Sequence, residues 1–124
     1  MAAKDMLERL HSPVEVRGTV PASPEDVFAL LSDPDEQPEW FTSAQQVAAD
    51  PPKRLELETS TGPIKGWVEL ELERTGEGTL VTYRERVTGT FGVVMPALRG
   101  PIFLRNKASL DKLRKRFEPL VVRL

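Results

Sequence analysis

Two side chains that could do chemistry stand two residues apart. Tyr83, the only tyrosine of the chain, is followed at the next-but-one position by Glu85, within the alternating run Thr79 to Thr88. In a strand, residues two apart share a face. Which face depends on the partner strand, and the register can be read directly. Gly66 to Arg74 and Thr79 to Thr88 form a hairpin about a turn at Gly76-Glu77. Taking Gly76 and Glu77 as the loop sets Leu72 opposite Val81, Leu70 opposite Tyr83 and Val68 opposite Glu85. The other face then carries Glu71 with Thr82, Glu69 with Arg84 and Trp67 with Arg86. A one-residue slip mixes apolar and charged partners, so the first register is the stable one. It leaves Glu85 as the one carboxylate of the hairpin on its apolar face. Such a carboxyl can act as an acid, a base or a ligand anchor, with desolvation raising its pKa. Otherwise it reaches solvent or an arginine at the strand's end. Tyr83 can orient a ligand through its hydroxyl or simply pack with that hydroxyl satisfied.

A third polar group belongs with these. Phe103, Asn106, Leu110, Leu113 and Phe117 recur at helical spacing and predict one apolar stripe. Asn106 interrupts it. A buried amide needs hydrogen-bond partners, and a ligand or a water in a cavity can supply them. Met95 and Phe91 offer adaptable apolar surface at an entrance, or core packing. Trp40 and Phe41 follow a short turn and can plug a cavity mouth.

Other chemistries are excluded by composition. The 124 residues contain no cysteine and one histidine, His11, so thiolate, disulfide and multi-histidine metal chemistry are absent and no cofactor is expected. His11 beside Ser12 is an adjacency, not a catalytic arrangement. Glu69, Glu71 and Glu73 share one strand face, and Arg84 and Arg86 opposite make it a solvated ion-pair surface. The glycines lack phosphate-loop spacing.

Charge is unevenly spread. Overall the chain carries 17 basic and 19 acidic residues, but residues 1–98 sum to −8 and residues 99–124 to +6. The basic end holds Arg105, Lys107, Lys112, Arg114, Lys115 and Arg116 without interleaved aromatic residues, so nucleic acid is not the expected partner. No apolar run approaches the roughly 18 residues of a membrane span, and Met1–His11 has no signal-peptide core. A cytoplasmic location with no membrane partner is expected.

The elements that position these groups follow in order. Met1 to Ser12 has a weak helical pattern and reads as a short helix or an N-terminal arm. Val14 to Val20 alternates as a strand. Ser23-Pro24-Glu25-Asp26 opens a helix with Ser23 as N-cap and Pro24 in the first turn, and Asp33-Pro34 ends it. Gln46 to Ala48 can form a short strand, Arg54 to Thr59 a further one, and Thr61-Gly62-Pro63 a turn. After an apolar loop, Pro96 to Gly100 can begin a helix, but Pro101 is expected to set the start of the main one, which runs to about Glu118. No repeat or linker divides the chain, so residues 1–124 form one α+β domain.

This order resembles the START-like (SRPBCC) superfamily, within it the polyketide cyclase/dehydrase-type bacterial proteins. The residues carrying the likeness are Val20-Pro21-Ala22-Ser23-Pro24-Glu25-Asp26-Val27 through Asp33-Pro34, Pro38-Glu39-Trp40, Asp50-Pro51-Pro52-Lys53-Arg54-Leu55, Gly78 to Tyr83, and the helix ending Leu110-Asp111-Lys112-Leu113. The resemblance implies a helix-grip fold, an antiparallel sheet curved around a long C-terminal helix with an apolar cavity between. Such a cavity would take a hydrophobic small molecule, and the residues read above give Trp40, Leu57, Tyr83, Glu85, Met95, Phe103, Asn106 and Leu110 as its ligand-binding candidates, with Glu85 and Tyr83 the candidates for catalysis. Any reaction would be proton transfer or dehydration of a polyketide-like carbonyl compound. Family members usually have two strands between the tryptophan and the Asp-Pro-Pro strand. Here Trp40 to Asp50 has room for one short strand. The sheet is therefore expected to be shortened, with its cavity shallow, open, or completed by a second copy as a homodimer through the sheet edge. The alternative is a protein-interaction module, related in fold to chaperone activators, that works through that edge or the basic helix.

Overall fold

The computed structural model describes residues 11–37 and 44–118. Five strands, β1 (Val14–Val20), β2 (Ala44–Asp50), β3 (Arg54–Thr61), β4 (Ile64–Thr75) and β5 (Gly78–Thr88), form one antiparallel sheet in the order β1-β5-β4-β3-β2. Among the described residues the sheet is accompanied by α1 (Pro24–Ser32) and α2 (Met95–Phe117), with a 3-10 turn over Gly89–Val94 leading into α2. The chain is an α+β helix-grip domain, and α2 lies against β1 and β5.

The hairpin register expected from the sequence is the one observed, with Leu72↔Val81, Leu70↔Tyr83, Val68↔Glu85 and Glu69↔Arg84 as partners. Burial follows from it. Val68, Leu70, Leu72, Val81 and Tyr83 are all buried, while the opposite face is an ion-pair lattice. There Arg84 binds Glu15 at 2.9 Å, Glu69 at 2.8 Å and also Glu71, and Arg54 binds Glu69 at 2.8 Å. Arg86 does not join the lattice. It stacks 5.0 Å from the Trp67 ring centre.

α1 starts as its sequence dictates, the Asp26 amide donating to Ser23 Oγ at 3.2 Å with Pro24 in the first turn. Val27 and Leu31 turn inward. One strand, β2, occupies the segment before the Asp-Pro-Pro turn, so the sheet has five strands and β1 and β2 are its edges. β2 bulges between Gln46 and Ala48, and Val47 there is 46% exposed. A bulge bends an edge strand away from pairing with another chain.

The expected start of α2 at Pro101 is corrected. The helix begins at Met95, with Pro96 in its first turn and Pro101 inside. An interior proline loses the hydrogen bond to the carbonyl four residues back, here that of Ala97, and costs about 3 kcal/mol. Two features offset it. Gly100 has no Cβ for the proline ring to press on. The extra turns bury Met95 (1% exposed) against Val14 and Ile102, and burying a methionine side chain contributes about 1.5–3 kcal/mol.

The expected apolar stripe of α2 is also shifted. The residues facing the sheet are Met95, Ile102, Asn106, Leu110 and Leu113, while Phe103 is 41% exposed. Ile102, four residues before Asn106 on the same face, packs with Met95 and Val14 and takes the inward place. The expected short helix or arm over Met1–Ser12, apart from His11 and Ser12, and the expected cavity mouth at Trp40 and Phe41 lie outside the described residues. Among the described residues no helix is long and apolar enough to cross a membrane.

Candidate functional site between β5 and the C-terminal helix

Among the described residues the interior holds two apolar clusters. The larger contains Val16, Leu57, Leu70, Tyr83, Leu110 and Leu113 among others, and the smaller Val14, Met95 and Ile102. Polar groups stand between them. Along β5 the inward positions run Val81, Tyr83, Glu85, Val87, and Glu85 separates the tyrosine of the first cluster from the valine packed on the second. Along α2, Asn106 lies one turn from Ile102 on one side and one turn from Leu110 on the other. Strand pairing puts Glu85 between Val14 on β1 and Val68 on β4.

Glu85 is 7% exposed. It is held by Arg105 of α2, whose guanidinium donates to Oε2, and the Tyr83 hydroxyl makes a long hydrogen bond of 3.4 Å to Oε1. Burial and the Glu85 carboxylate both push the Tyr83 phenol well above its ordinary pKa. Tyr83 therefore stays neutral and serves as a donor, while Glu85 and Arg105 cancel each other's charge.

Beside this pair is a cavity of about 250 Å³, walled by Thr59, Ile64, Gly66, Leu98, Ile102 and Arg105 with Glu85 and Val87. Gly66 stands in its wall. A Cβ built there would come within 2.4 Å of Thr59 Oγ1, its partner across β3 and β4. Glycine inside a strand is the usual sign of such a close approach.

Asn106 is fully buried, and neither its Nδ2 nor its Oδ1 has a hydrogen-bond partner. Leaving a buried polar group unpaired costs about 1–3 kcal/mol, and here both ends of one amide are unpaired. Native interiors rarely tolerate this without a ligand or a water nearby.

The expected site residues therefore separate. Tyr83 and Glu85 meet through the 3.4 Å hydrogen bond, and Asn106 lies buried on α2 between Ile102 of one cluster and Leu110 of the other. Leu57 and Leu110 pack in the larger cluster and Met95 in the smaller, where its sulfur accepts from the Val87 amide at 3.4 Å. Phe103 points to solvent, with Lys107 6.0 Å from its ring centre, and Trp40 lies outside the described residues. Of the expected residues Glu85 lines the 250 Å³ cavity, while Leu57, Tyr83, Met95, Phe103, Asn106 and Leu110 do not. Sequence reasoning missed Arg105 and Gly66 as wall residues. The signal for Gly66 was a glycine in an alternating strand. For Arg105 it was the need of a buried carboxylate for a counter-charge.

Elsewhere the basic helix is largely neutralised. Arg114 pairs with Asp111 and, at 3.1 Å, with Glu118, Lys115 pairs with Asp111 at 3.2 Å, and Arg116 pairs with Glu36 at 3.3 Å. Among the described residues no group of three His, Cys, Asp or Glu side chains is placed to hold a metal ion. A cleft of about 450 Å³ follows the outer edge of β1 past Leu104 and Lys107, and one of about 620 Å³ lies between Pro24 and Pro52.

With this geometry the molecule falls in the class of helix-grip α+β domains. No family model and no curated protein matches the chain, but solved structures share its fold. CalU16 from Micromonospora echinospora is 20% identical with a TM-score of 0.65, over 85% of this chain and 75% of that one. DynU16, a protein in the dynemicin biosynthetic locus, is 20% identical with a TM-score of 0.54, over 81% of this chain and 47% of that one. The Aha1 dimer from Colwellia psychrerythraea is 14% identical with a TM-score of 0.61, over 86% and 96%. At such identities the likeness is one of fold.

Proposed function

We propose that the protein binds an apolar or aromatic small molecule between β5 and α2, in the cytoplasm, as the polyketide cyclase/dehydrase-type resemblance implies. One observation carries this reading. Asn106 is entirely buried with donor and acceptor both unpaired, on the same helix turn as residues that wall a cavity. A stable domain keeps such a group where something else completes its hydrogen bonds. Glu85, Tyr83 and Arg105 would orient the ligand, and a carbonyl compound held there would be open to proton transfer or dehydration through Glu85. The fold shared with DynU16, a protein of a biosynthetic locus, supports a small-molecule role.

The test is native mass spectrometry of the protein purified from its own host, paired with uptake of a hydrophobic dye. A retained small-molecule mass and dye uptake displaced by it are expected. A bare chain that takes up no dye would end the reading.

A second reading, a protein-interaction module or homodimer, draws on the two open sheet edges and the Aha1 dimer of like fold. Against β2 as that edge stands its bulge at Val47. The same mass spectrum separates the readings, because a dimer without a ligand would favour the second.

A further inference from the structure

We propose that the cleft along the outer edge of β1 takes an extended acidic polypeptide segment as an added strand. The cleft, of about 450 Å³, has two walls. Val16, Arg17, Gly18 and Thr19 form one. Four consecutive residues of a strand alternate between its faces, so the cleft opens on the strand's edge and not on one face. Leu104, Lys107, Ala108, Asp111 and Arg114 form the other, spaced as one flank of a helix.

The edge is fit for pairing. β1 ends the sheet, and among the described residues no strand lies on its outer side. Such an edge presents a row of unpaired N–H and C=O groups, which an extended segment can meet by strand addition. β2 bulges at the other end of the sheet, whereas β1 keeps one register from Val14 to Val20. From Leu104 to Arg114 the helix rises about 15 Å, the length of an extended segment of about five residues.

The side chains set the partner's chemistry. Leu104 is 68% exposed and is covered by an apolar residue of the added strand. The cleft carries Arg17, Lys107 and Arg114 against the single carboxylate of Asp111, which Arg114 and Lys115 already hold. Among the described residues no carboxylate pairs with Lys107, which lies over the Phe103 ring, and Arg17 meets Glu15 at 3.3 Å with its side chain largely exposed. Carboxylates on the incoming segment find these two cations, and opposite charges stabilise a strand pair. The same charges oppose a second copy. Pairing β1 with itself about its middle residue sets the two Arg17 side chains opposite each other.

This rests on the interaction reading above, giving it a place and a partner. It stands apart from the ligand reading, because the cleft shares no residue with the 250 Å³ cavity.

The experiment titrates the isotope-labelled full chain with a capped heptapeptide of alternating valine and glutamate, followed by NMR and calorimetry. Its glutamine and lysine counterparts, and the glutamate peptide methylated on its amide nitrogens, serve as controls. The glutamate peptide is expected to bind at least about tenfold tighter than the lysine one, with glutamine between, and to shift the amides of Val16 to Thr19 and not those of β2. Methylation is expected to abolish binding. Lys107 is exposed, so Lys107→Glu keeps the fold and is expected to weaken the glutamate peptide about tenfold. Equal binding of the acidic and basic peptides, binding that survives methylation, or shifts confined to β2 would overturn the inference. A dimer that binds no peptide would also overturn it and leave the interaction reading standing, whereas a monomer that binds none would end both.

Discussion

The Arg105 guanidinium reaches from the C-terminal helix to the Glu85 carboxylate on β5, joining a half-exposed cation (56%) to a carboxylate that is only 10% exposed. This asymmetry sets what each partner does. Glu85 is covered by Val14 and Val68 on the flanking strands and depends on Arg105 for its counter-charge, while Arg105 has water as an alternative. Removing the arginine therefore leaves the larger defect.

Arg105→Met is expected to destabilise the domain by about 1–3 kcal/mol, the cost of an uncompensated buried polar group discounted for the pair's partial exposure. Glu85→Gln should cost less, and the double variant should recover part of the loss. Urea unfolding of the three proteins measures the coupling. Strictly additive losses would show that the pair is not coupled.

Tyr83 is the only tyrosine, so tyrosinate absorbance reads it alone. Burial, then the Glu85 carboxylate, raise its pKa. A group with a raised folded pKa contributes stability below its unfolded pKa and loses it as pH climbs beyond. The absorbance should stay flat through about pH 10, where a free tyrosine is half ionised, and rise only together with loss of the circular-dichroism signal. A rise near pH 10 in the folded protein would contradict the burial.

On the outer face, desolvation would raise the pKa of Glu69, but hydrogen bonds from Arg54 and Arg84 outweigh it and hold the carboxyl below its ordinary value of 4.5. The sign is that of a depressed acid. Its stabilisation is complete above the unfolded pKa and is lost as pH falls through the folded one. Stability should be level down to about pH 5 and then decline, with Glu69→Gln flattening that acid limb. Chemical denaturation at a series of pH values checks it.

Two glycines of one hairpin turn provide a backbone control. Gly78 has φ +135, and a Cβ there would stand 2.1 Å from the Val20 carbonyl oxygen, whereas a Cβ at Gly76 meets nothing within 4 Å. Gly78→Ala should cost about 1–3 kcal/mol or more, and Gly76→Ala should lie within about 0.5 kcal/mol of wild type. Comparable losses in thermal unfolding would sink this distinction.

The site was half legible in advance. Glu85 could be placed on the inner face because a strand alternates strictly and the turn fixed the register, and Asn106 because helical periodicity put it among leucines. Phe103 was misplaced because a stripe counted from Pro101 has no knowledge of the two turns preceding it. Ile102 turned inward once Met95 and Leu98 had docked on β1 and β5. Arg105 could not be singled out among its cationic neighbours, since a flexible side chain's partner is chosen by what the fold brings within reach.

By itself, then, the chain's pattern determined the five strands, their central register, the capped first helix, the absence of thiol chemistry and the polar trio Tyr83, Glu85 and Asn106. These are local matters, set by periodicity, turn chemistry and residue type over a few positions. Tertiary packing alone decided where the cavity opens, that Arg105 neutralises Glu85, and that the Asn106 amide is buried without a partner. Each of those depends on how far α2 lies from β5, a distance set by the summed volume of side chains drawn from the whole chain.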